Sequence, residues 1–378
     1  MGGLRVLYVL GHGGLGGIER HVQALVHGLS PTGIDAHLCV LMQPGEVSEA
    51  MKREGVPVHV LGARHGHAPG LLSLFCRLLR DVRPDIVHFH ELHFLPALAM
   101  RLFPHIPLIY SEHCSIPDAP NLSATRALWA AVGHRIDRIL PVSRYTGRML
   151  TEYLGVSAGR MTVVYNGLDV EGLNAKRPSG GRVPRGAGEG ARVVGGVGRL
   201  AAQKDWKVFL EAAKCLSLMR GDVQFAIVGD GPLRRPLEQT ANRLGIADRI
   251  HWLGFREDTS DLLRGFDVFL FTSMHEELPT TLLEVFALRT PVAGFVPKGG
   301  TSEILELCNS PPGVFLEQRS PRPLANAVND LLNDPRRADA MTEEGFRVVR
   351  EHFNMRAIAA QVKGIYDASL NGKGAASL

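Results

Sequence analysis

From Arg5 to about Leu168, short runs of β-branched and aliphatic residues alternate with longer stretches whose apolar positions recur at helical spacing. The runs are Arg5–Leu10, Ala36–Met42, Pro57–Gly62, Asp85–His90, Pro107–His113, Arg138–Ser143 and Met161–Asn166; the stretches between them include Ile18–Leu29, Gly70–Val82 and Ala124–Arg135. Strand-length apolar runs separated by helix-length patterns predict parallel strands joined by helical crossovers, a doubly wound α/β sheet. A second series of the same kind starts at Arg192, with runs ending near Val197, Val228, Gly254, Phe271, Phe295 and Leu316 and helical patterns at Trp206–Leu218, Leu233–Leu244, Pro279–Leu288 and Ser302–Leu307. The tail carries helical patterns at Leu324–Leu332, Ala338–Phe353 and Ala357–Leu370 and adds no strand. Between the two series, Asn174–Arg192 is rich in Gly, Pro and Arg and poor in large apolar residues, the composition of a linker.

The division is therefore an N-terminal domain over residues 1–173, a linker over 174–191 and a C-terminal domain over 192–355. A length of 378 residues fits two domains better than one, and 45% hydrophobic with 21% charged residues is the profile of a globular chain. The formal net charge of +4 is not gathered into one basic run, so no nucleic-acid partner is expected, whereas an anionic small ligand fits. Cys39, Cys76, Cys114, Cys215 and Cys308 are odd in number and free of CxxC spacing. They read as reduced core residues, and neither a disulfide framework nor a zinc site is expected. The apolar start resembles a first strand more than a signal peptide, and no run approaches the roughly 18 apolar residues of a membrane span. A cytoplasmic protein is the expectation.

Gly11, Gly13 and Gly16 follow the first strand with GxGxxG spacing and open a helix, where the backbone can approach an anion. A nicotinamide site would also want an acid at the end of the second strand, but that strand ends in Met42-Gln43, which argues against a dehydrogenase. A tight turn without a ligand stays open. Arg199 directly follows a strand and Lys204 stands five positions on, before a helix. Two cations at the carboxyl end of a parallel strand suit a diphosphate, Arg as a planar fork and Lys as a point charge. Gly229 and Gly231, around Asp230, read as turn glycines.

Glu276 and Glu277 fall in a loop, Pro279 stands where a helix starts, and Glu284 sits inside that helix among Leu282, Leu283, Val285 and Phe286. An acid in so apolar a helix calls for a partner, and vicinal hydroxyls, as on a ribose, would compensate it. The alternative is an exposed stripe on a half-buried helix. The N–H groups of Leu278, Thr280 and Thr281 near the helix start could receive a phosphate. His88 and His90 would share one face of a strand, but without a third ligand at a recognised spacing they read as histidines lining a cleft, with Glu112 and His113 at the next strand end. No metal is expected.

In order along the chain, these segments resemble the retaining nucleotide-sugar glycosyltransferases of family 4, with the GT-B fold: GGIERHVQAL, PDIVHFH, ILPVSRYT, VVYNGLD, GVGRLAAQKDW, IVGDGPLR, HWLGF, the acid pair of EELPTTLLE, and GGTSEIL. The resemblance covers nearly the whole chain. It implies two Rossmann-like doubly wound domains facing a central cleft, the first for the acceptor and the second for the donor, with the last helix (residues 356–378) packed back on the first domain. It implies that Glu284 binds ribose hydroxyls, that Glu276 lies beside the donor sugar, and that Arg199, Lys204 and the main chain of Thr280 and Thr281 hold the diphosphate. Gly16 and Gly17 would approach the donor from the other domain, and His113 would lie near the reacting sugar.

No cofactor is implied, since the nucleotide sugar, a UDP- or GDP-sugar first, is a co-substrate; the acceptor is a glycan, a lipid-linked or a small-molecule hydroxyl. Arg126, Arg135 and Arg138 around Trp129 leave open a peripheral contact with anionic lipid at the inner membrane face, against the reading of a core-packed helix with solvated arginines. Two departures stand out: Glu277 and Asp205 occupy positions that are usually glycine in the family. A sugar-nucleotide epimerase of similar fold, or a non-catalytic binding protein, are the alternatives.

Overall fold

The computed structural model describes residues 3–66, 68–113, 122–175 and 191–374. Residues 176–190 of the expected linker, and Cys114, lie outside the described residues. The chain forms two compact units, one of Met1–Gly167 with Met355–Leu378, the other of Leu168–Asn354. Asn174, read above as the start of the linker, instead lies in a helix, Val170–Ala175, where its amide donates to the carbonyls of Val170 (2.8 Å) and Ala287 (3.2 Å).

The first unit is a six-stranded sheet of β1 (Arg5–Leu10), β2 (Asp35–Val40), β3 (Val58–Val60), β4 (Ile86–Phe89), β5 (Leu108–Glu112) and β6 (Arg138–Pro141). Its order is β3-β2-β1-β4-β5-β6, parallel at each pairing. Side chains along β1 alternate between two cores: Leu7 and Val9 pack with Phe75, Phe89 and Leu150 on one face, Val6, Tyr8 and Leu10 with Val22, Leu25 and Val362 on the other. The final helix, Met355–Gly374, packs on the second face against the helix Gly17–Leu29. Gly28 permits that approach, since a Cβ there would meet Met355 at 3.0 Å and Ala359 at 3.1 Å.

One expected strand does not form. The run Met161–Asn166 makes only an isolated bridge, Met161 to Ile139. Thr162 and Val164 donate to the carbonyls of Ile139 and Pro141, but Pro141 has no N–H to return, and the ladder stops.

The second unit repeats the topology with β7 (Arg192–Val197), β8 (Val223–Val228), β9 (Ile250–Gly254), β10 (Val268–Phe271), β12 (Val292–Phe295) and β14 (Val314–Leu316), ordered β14-β12-β10-β7-β8-β9 and parallel. Two short strands, β11 (His275–Glu276) and β13 (Lys298–Gly299), pair separately. At the centre, Gly195 and Gly196 leave room for Phe266 on one face and for Trp206 and Phe209 on the other. In each unit the direction of winding reverses at one place, between β1 and β4 or between β7 and β10, and the carboxyl ends of strands flanking such a reversal are where open α/β sheets receive ligands. No described helix is long and apolar enough to cross a membrane.

Candidate active site

In the second unit, β7 and β10 are neighbours, so the segments that leave them meet. Met274 N–H donates to the Gln203 carbonyl at 2.7 Å and Thr272 Oγ1 to the Lys204 carbonyl at 2.8 Å. Across this junction the Lys204 ammonium and the Glu276 carboxylate form an ion pair, with side chains only 18% and 10% exposed. The two residues singled out separately in the sequence are thus direct partners. Arg199 lies exposed on the same loop, with its carbonyl accepting from Trp206 Nε1 at 3.0 Å.

Glu276 is not in a loop, as the sequence suggested, but in β11. Parallel pairing with β13 holds it, through Lys298 N–H to Met274 O (3.0 Å) and Gly300 N–H to Glu276 O (2.9 Å). Gly299 has φ 122°, and a Cβ on it would fall 1.7 Å from the Glu276 carbonyl oxygen, so only glycine fits this approach. Gly229 and Gly231 play the same part beside the Arg199 loop, where added Cβ atoms would meet the carbonyl oxygens of Gly198 (2.0 Å) and Leu200 (2.6 Å).

The helix Thr280–Ala287 begins one residue later than the sequence suggested, with Pro279 as its N-cap making no side-chain cap hydrogen bond. Leu278 is buried; Thr280 and Thr281 are half-buried. Glu284 is also half-buried, not enclosed, while Leu282, Leu283, Val285 and Phe286 around it are buried. The apolar run therefore closes three sides of the helix and leaves its acid at the open edge.

Both departures from the family pattern carry their own partners. Glu277 Oε1 lies 3.1 Å from His275 Nε2. Asp205 has φ 49°, the left-handed conformation that suits the usual glycine, and its Oδ2 accepts from Arg319 Nη2 at 2.8 Å. Arg319 also donates to the carbonyls of Ser273 (3.0 Å) and Thr272 and stacks over Phe295 at 4.6 Å. Sequence reasoning missed Arg319; its one sequence signal was Asp205, an acid in a glycine's place.

In the first unit, Gly16 caps and Gly17 opens the helix Gly17–Leu29. The Glu19 carboxylate folds back over Gly16, and burial raises its pKa. Gly11 and Gly13 are accounted for by packing, since added Cβ atoms would meet Glu91 Oε2 at 2.5 Å and Ser48 Oγ at 2.4 Å. Nothing lies within 4 Å of a Cβ built on Gly17.

The histidines separate into two roles that the sequence did not distinguish. His88 does not line an open site: it is buried in β4, with Nδ1 2.8 Å from Tyr366 Oη and Nε2 2.9 Å from Ser111 Oγ. His90 follows β4 and meets His113, which follows β5, at 3.0 Å between Nδ1 and Nε2. Glu112 turns to the opposite face, where Tyr110 Oη donates to it at 2.6 Å. Burial holds the neighbouring imidazoles neutral, lowering His21 to about 4, His88 to about 3, and His90 and His113 well below their ordinary value.

Residues 15–171 match the family model described as Glycosyltransferase Family 4, and residues 182–348 match that of Glycosyl transferases group 1. The chain belongs to glycosyltransferase family 4. As a family 4 glycosyltransferase it is a sugar-transferring enzyme, and its relatives agree with that class. The 2-deoxystreptamine N-acetyl-D-glucosaminyltransferase of Streptomyces fradiae is 27% identical over 359 residues, 85% of this chain and 84% of that protein. The glycogen synthase of Mycobacterium tuberculosis is 26% identical over 305 residues, 78% of this chain and 71% of that one. Among solved structures, Anabaena HepE in complex with UDP and glucose superposes with a TM-score of 0.81 at 20% identity, covering 97% of this chain and all of that one (100%). At that identity the likeness speaks for the fold, and the fold of this family 4 glycosyltransferase is GT-B, with two Rossmann-like units in one chain.

Proposed function

We propose that the enzyme moves a sugar from a nucleotide-sugar donor, UDP- or GDP-linked, to an acceptor hydroxyl with retention of configuration and without a metal. The observation that carries this reading is the Lys204–Glu276 pair at the β7–β10 reversal, on the loop that also carries Arg199 and in the segment that runs on into the helix Thr280–Ala287. In this reading a diphosphate competes for the Lys204 ammonium and draws it away from Glu276. The freed carboxylate then accepts hydrogen bonds from the donor sugar, so donor binding itself readies the acid.

Breaking the sugar–phosphate bond builds positive charge on the sugar and negative charge on the departing diphosphate. Arg199, Lys204 and the N–H groups of Leu278, Thr280 and Thr281 stabilise the leaving group, a contribution of about 3 kcal/mol per well-placed donor. Two cations and a helix start supply the positive charge for which a metal would otherwise serve, and no Asp-x-Asp pair stands at a strand end. Glu284 takes the ribose hydroxyls, and Gly16, Gly17 and His113 keep the roles that the family resemblance gives them. The course is front-face, the leaving phosphate oxygen accepting the proton of the acceptor hydroxyl. Glu276 and Glu284 are not a glycosidase pair, because one serves the sugar and the other the nucleotide. The acceptor, a glycan, a lipid-linked or a small-molecule hydroxyl, belongs to the first unit.

A panel of UDP-, GDP-, ADP- and dTDP-sugars with product detection tests the proposal. Nucleotide released only in the presence of an acceptor is the expected result, with the new glycosidic bond keeping the donor's anomeric configuration. Isomerised donor would instead make the protein an epimerase, and binding without turnover would make it a non-catalytic sugar-nucleotide receptor.

A further inference from the structure

The first unit brings more imidazoles to its sheet end than one place beside a reacting sugar requires. His21 comes from the second turn of the helix Gly17–Leu29, His90 from the exit of β4 and His113 from the exit of β5. One ring nitrogen of each lies within 4.8 Å of the other two. The His90 and His113 rings stack at 5.3 Å, and the His21 ring lies 5.3 Å from His113 and 5.9 Å from His90. Nδ1 of His21 is buried and has no hydrogen-bond partner among the described residues. His21 and His90 are 8% and 1% exposed, so water does not compensate the His21 nitrogen freely. An orphaned buried polar atom is costly and asks for a ligand.

We propose that His21, His90 and His113 form a three-imidazole site for a divalent transition-metal ion of the zinc type. Imidazole nitrogen selects zinc, copper, nickel or cobalt over magnesium and calcium, which prefer oxygen. Neutral imidazole is the ligating form. Zinc–nitrogen bonds of about 2.0–2.1 Å place tetrahedral ligand atoms roughly 3.3 Å apart. His90 Nδ1 and His113 Nε2, 3.0 Å apart, share a hydrogen bond that the ion would replace, and a ring nitrogen of His21 lies within 4.8 Å of one on each of them. His88 is no fourth ligand, because Tyr366 and Ser111 engage both its nitrogens; its ring lies against His90 at 4.2 Å and limits how that ring can turn. His113 is half-buried, the most exposed of the three.

Since the transfer chemistry above uses two cations, this ion is not its cofactor. It would hold His113 on the metal and away from the sugar, so that occupancy inhibits transfer. That consequence rests on the proposed function, whereas metal binding itself does not.

The test uses the full chain, freed of metal, titrated calorimetrically with zinc and optically with cobalt(II). The site predicts about one equivalent of zinc per chain, tetrahedral cobalt absorption in the visible, and no competition by magnesium. His21→Leu, which removes the nitrogen at similar volume and lies outside the residues assigned to transfer, should weaken zinc binding by at least roughly tenfold and relieve zinc inhibition in proportion. His90→Leu should do the same to binding, with circular dichroism and the melting midpoint showing that both variants fold. No stoichiometric zinc in the wild type, or wild-type affinity in both folded variants, would overturn the site. Stoichiometric zinc with undiminished transfer would support the site and count against His113 as the residue beside the reacting sugar, so the two readings fail separately.

Discussion

Arg319 Nη2 donates to Asp205 Oδ2 at 2.8 Å, and the same guanidinium holds the carbonyls of Ser273 and Thr272. It thereby ties the β7 exit, which carries Lys204, to the β10 exit, which carries Glu276. Asp205 sits at φ 49°, a conformation costing a residue with a Cβ about 1 kcal/mol. Asp205→Gly removes that cost along with one hydrogen bond, so its stability should stay within about 1 kcal/mol of wild type. Arg319→Ala loses every bond and the stacking on Phe295, for a loss of about 2 kcal/mol and a donor KM raised roughly tenfold. Urea denaturation and donor titration compare the two; a glycine variant worse than the alanine variant would contradict this arrangement.

Lys204 and Glu276 should behave as one unit. Lys204→Met strands a largely buried carboxylate and should cost about 2 kcal/mol, less than the 3–5 kcal/mol of a fully enclosed pair because both side chains keep some contact with water. Adding Glu276→Gln should restore part of that stability without restoring activity. A double-mutant cycle in chemical denaturation reads the coupling directly, and strict additivity would mean the pair does not form in solution.

Glu284 and Arg199 should separate binding from turnover. Glu284→Ala is expected to weaken nucleotide affinity about tenfold, the loss of a charged acceptor of hydroxyl hydrogen bonds, with a smaller effect on kcat. Arg199→Ala should lower kcat about a hundredfold, because the charge it meets develops as the diphosphate leaves. Calorimetry with free nucleotide beside steady-state kinetics distinguishes them. Unchanged nucleotide affinity in the Glu284 variant sinks its assignment to the ribose.

Acid should destabilise the first unit through its neutral histidines. In the unfolded chain His21, His88, His90 and His113 protonate near their ordinary value of about 6.5, but burial lowers all four in the folded state, His21 to about 4 and His88 to about 3. Between about pH 6.5 and those lower values the unfolded state binds more protons, so stability falls as pH falls; above about 6.5 the effect is absent. His21 alone accounts for on the order of 3 kcal/mol by about pH 4. Urea midpoints at about pH 7.5 and about pH 5 should show the decline, and His21→Leu should flatten part of it.

Much of this protein was written locally. The alternation of strand-length and helix-length apolar runs determined two parallel sheets, because burial of both faces of a parallel sheet leaves its mark residue by residue. Glycines that let backbone pass backbone, at Gly229 and Gly231, were visible at strand ends, and so were Arg199, Lys204, Glu276 and His113. Only the tertiary structure decided which of these meet. Lys204 finds Glu276 72 residues away, Asp205 finds Arg319 114 away and His88 finds Tyr366 278 away. Such pairs depend on strand order and on where the chain returns, which no local propensity encodes. The same holds for what the sequence misjudged or left open: Met161–Asn166 has a strand's composition but meets a proline edge, and Glu284, for which a buried helix and an exposed stripe both stood open, is half-buried at the helix's open edge. His21 gave no sign of its role, since a helix, not a shared strand, carries it to His90 and His113.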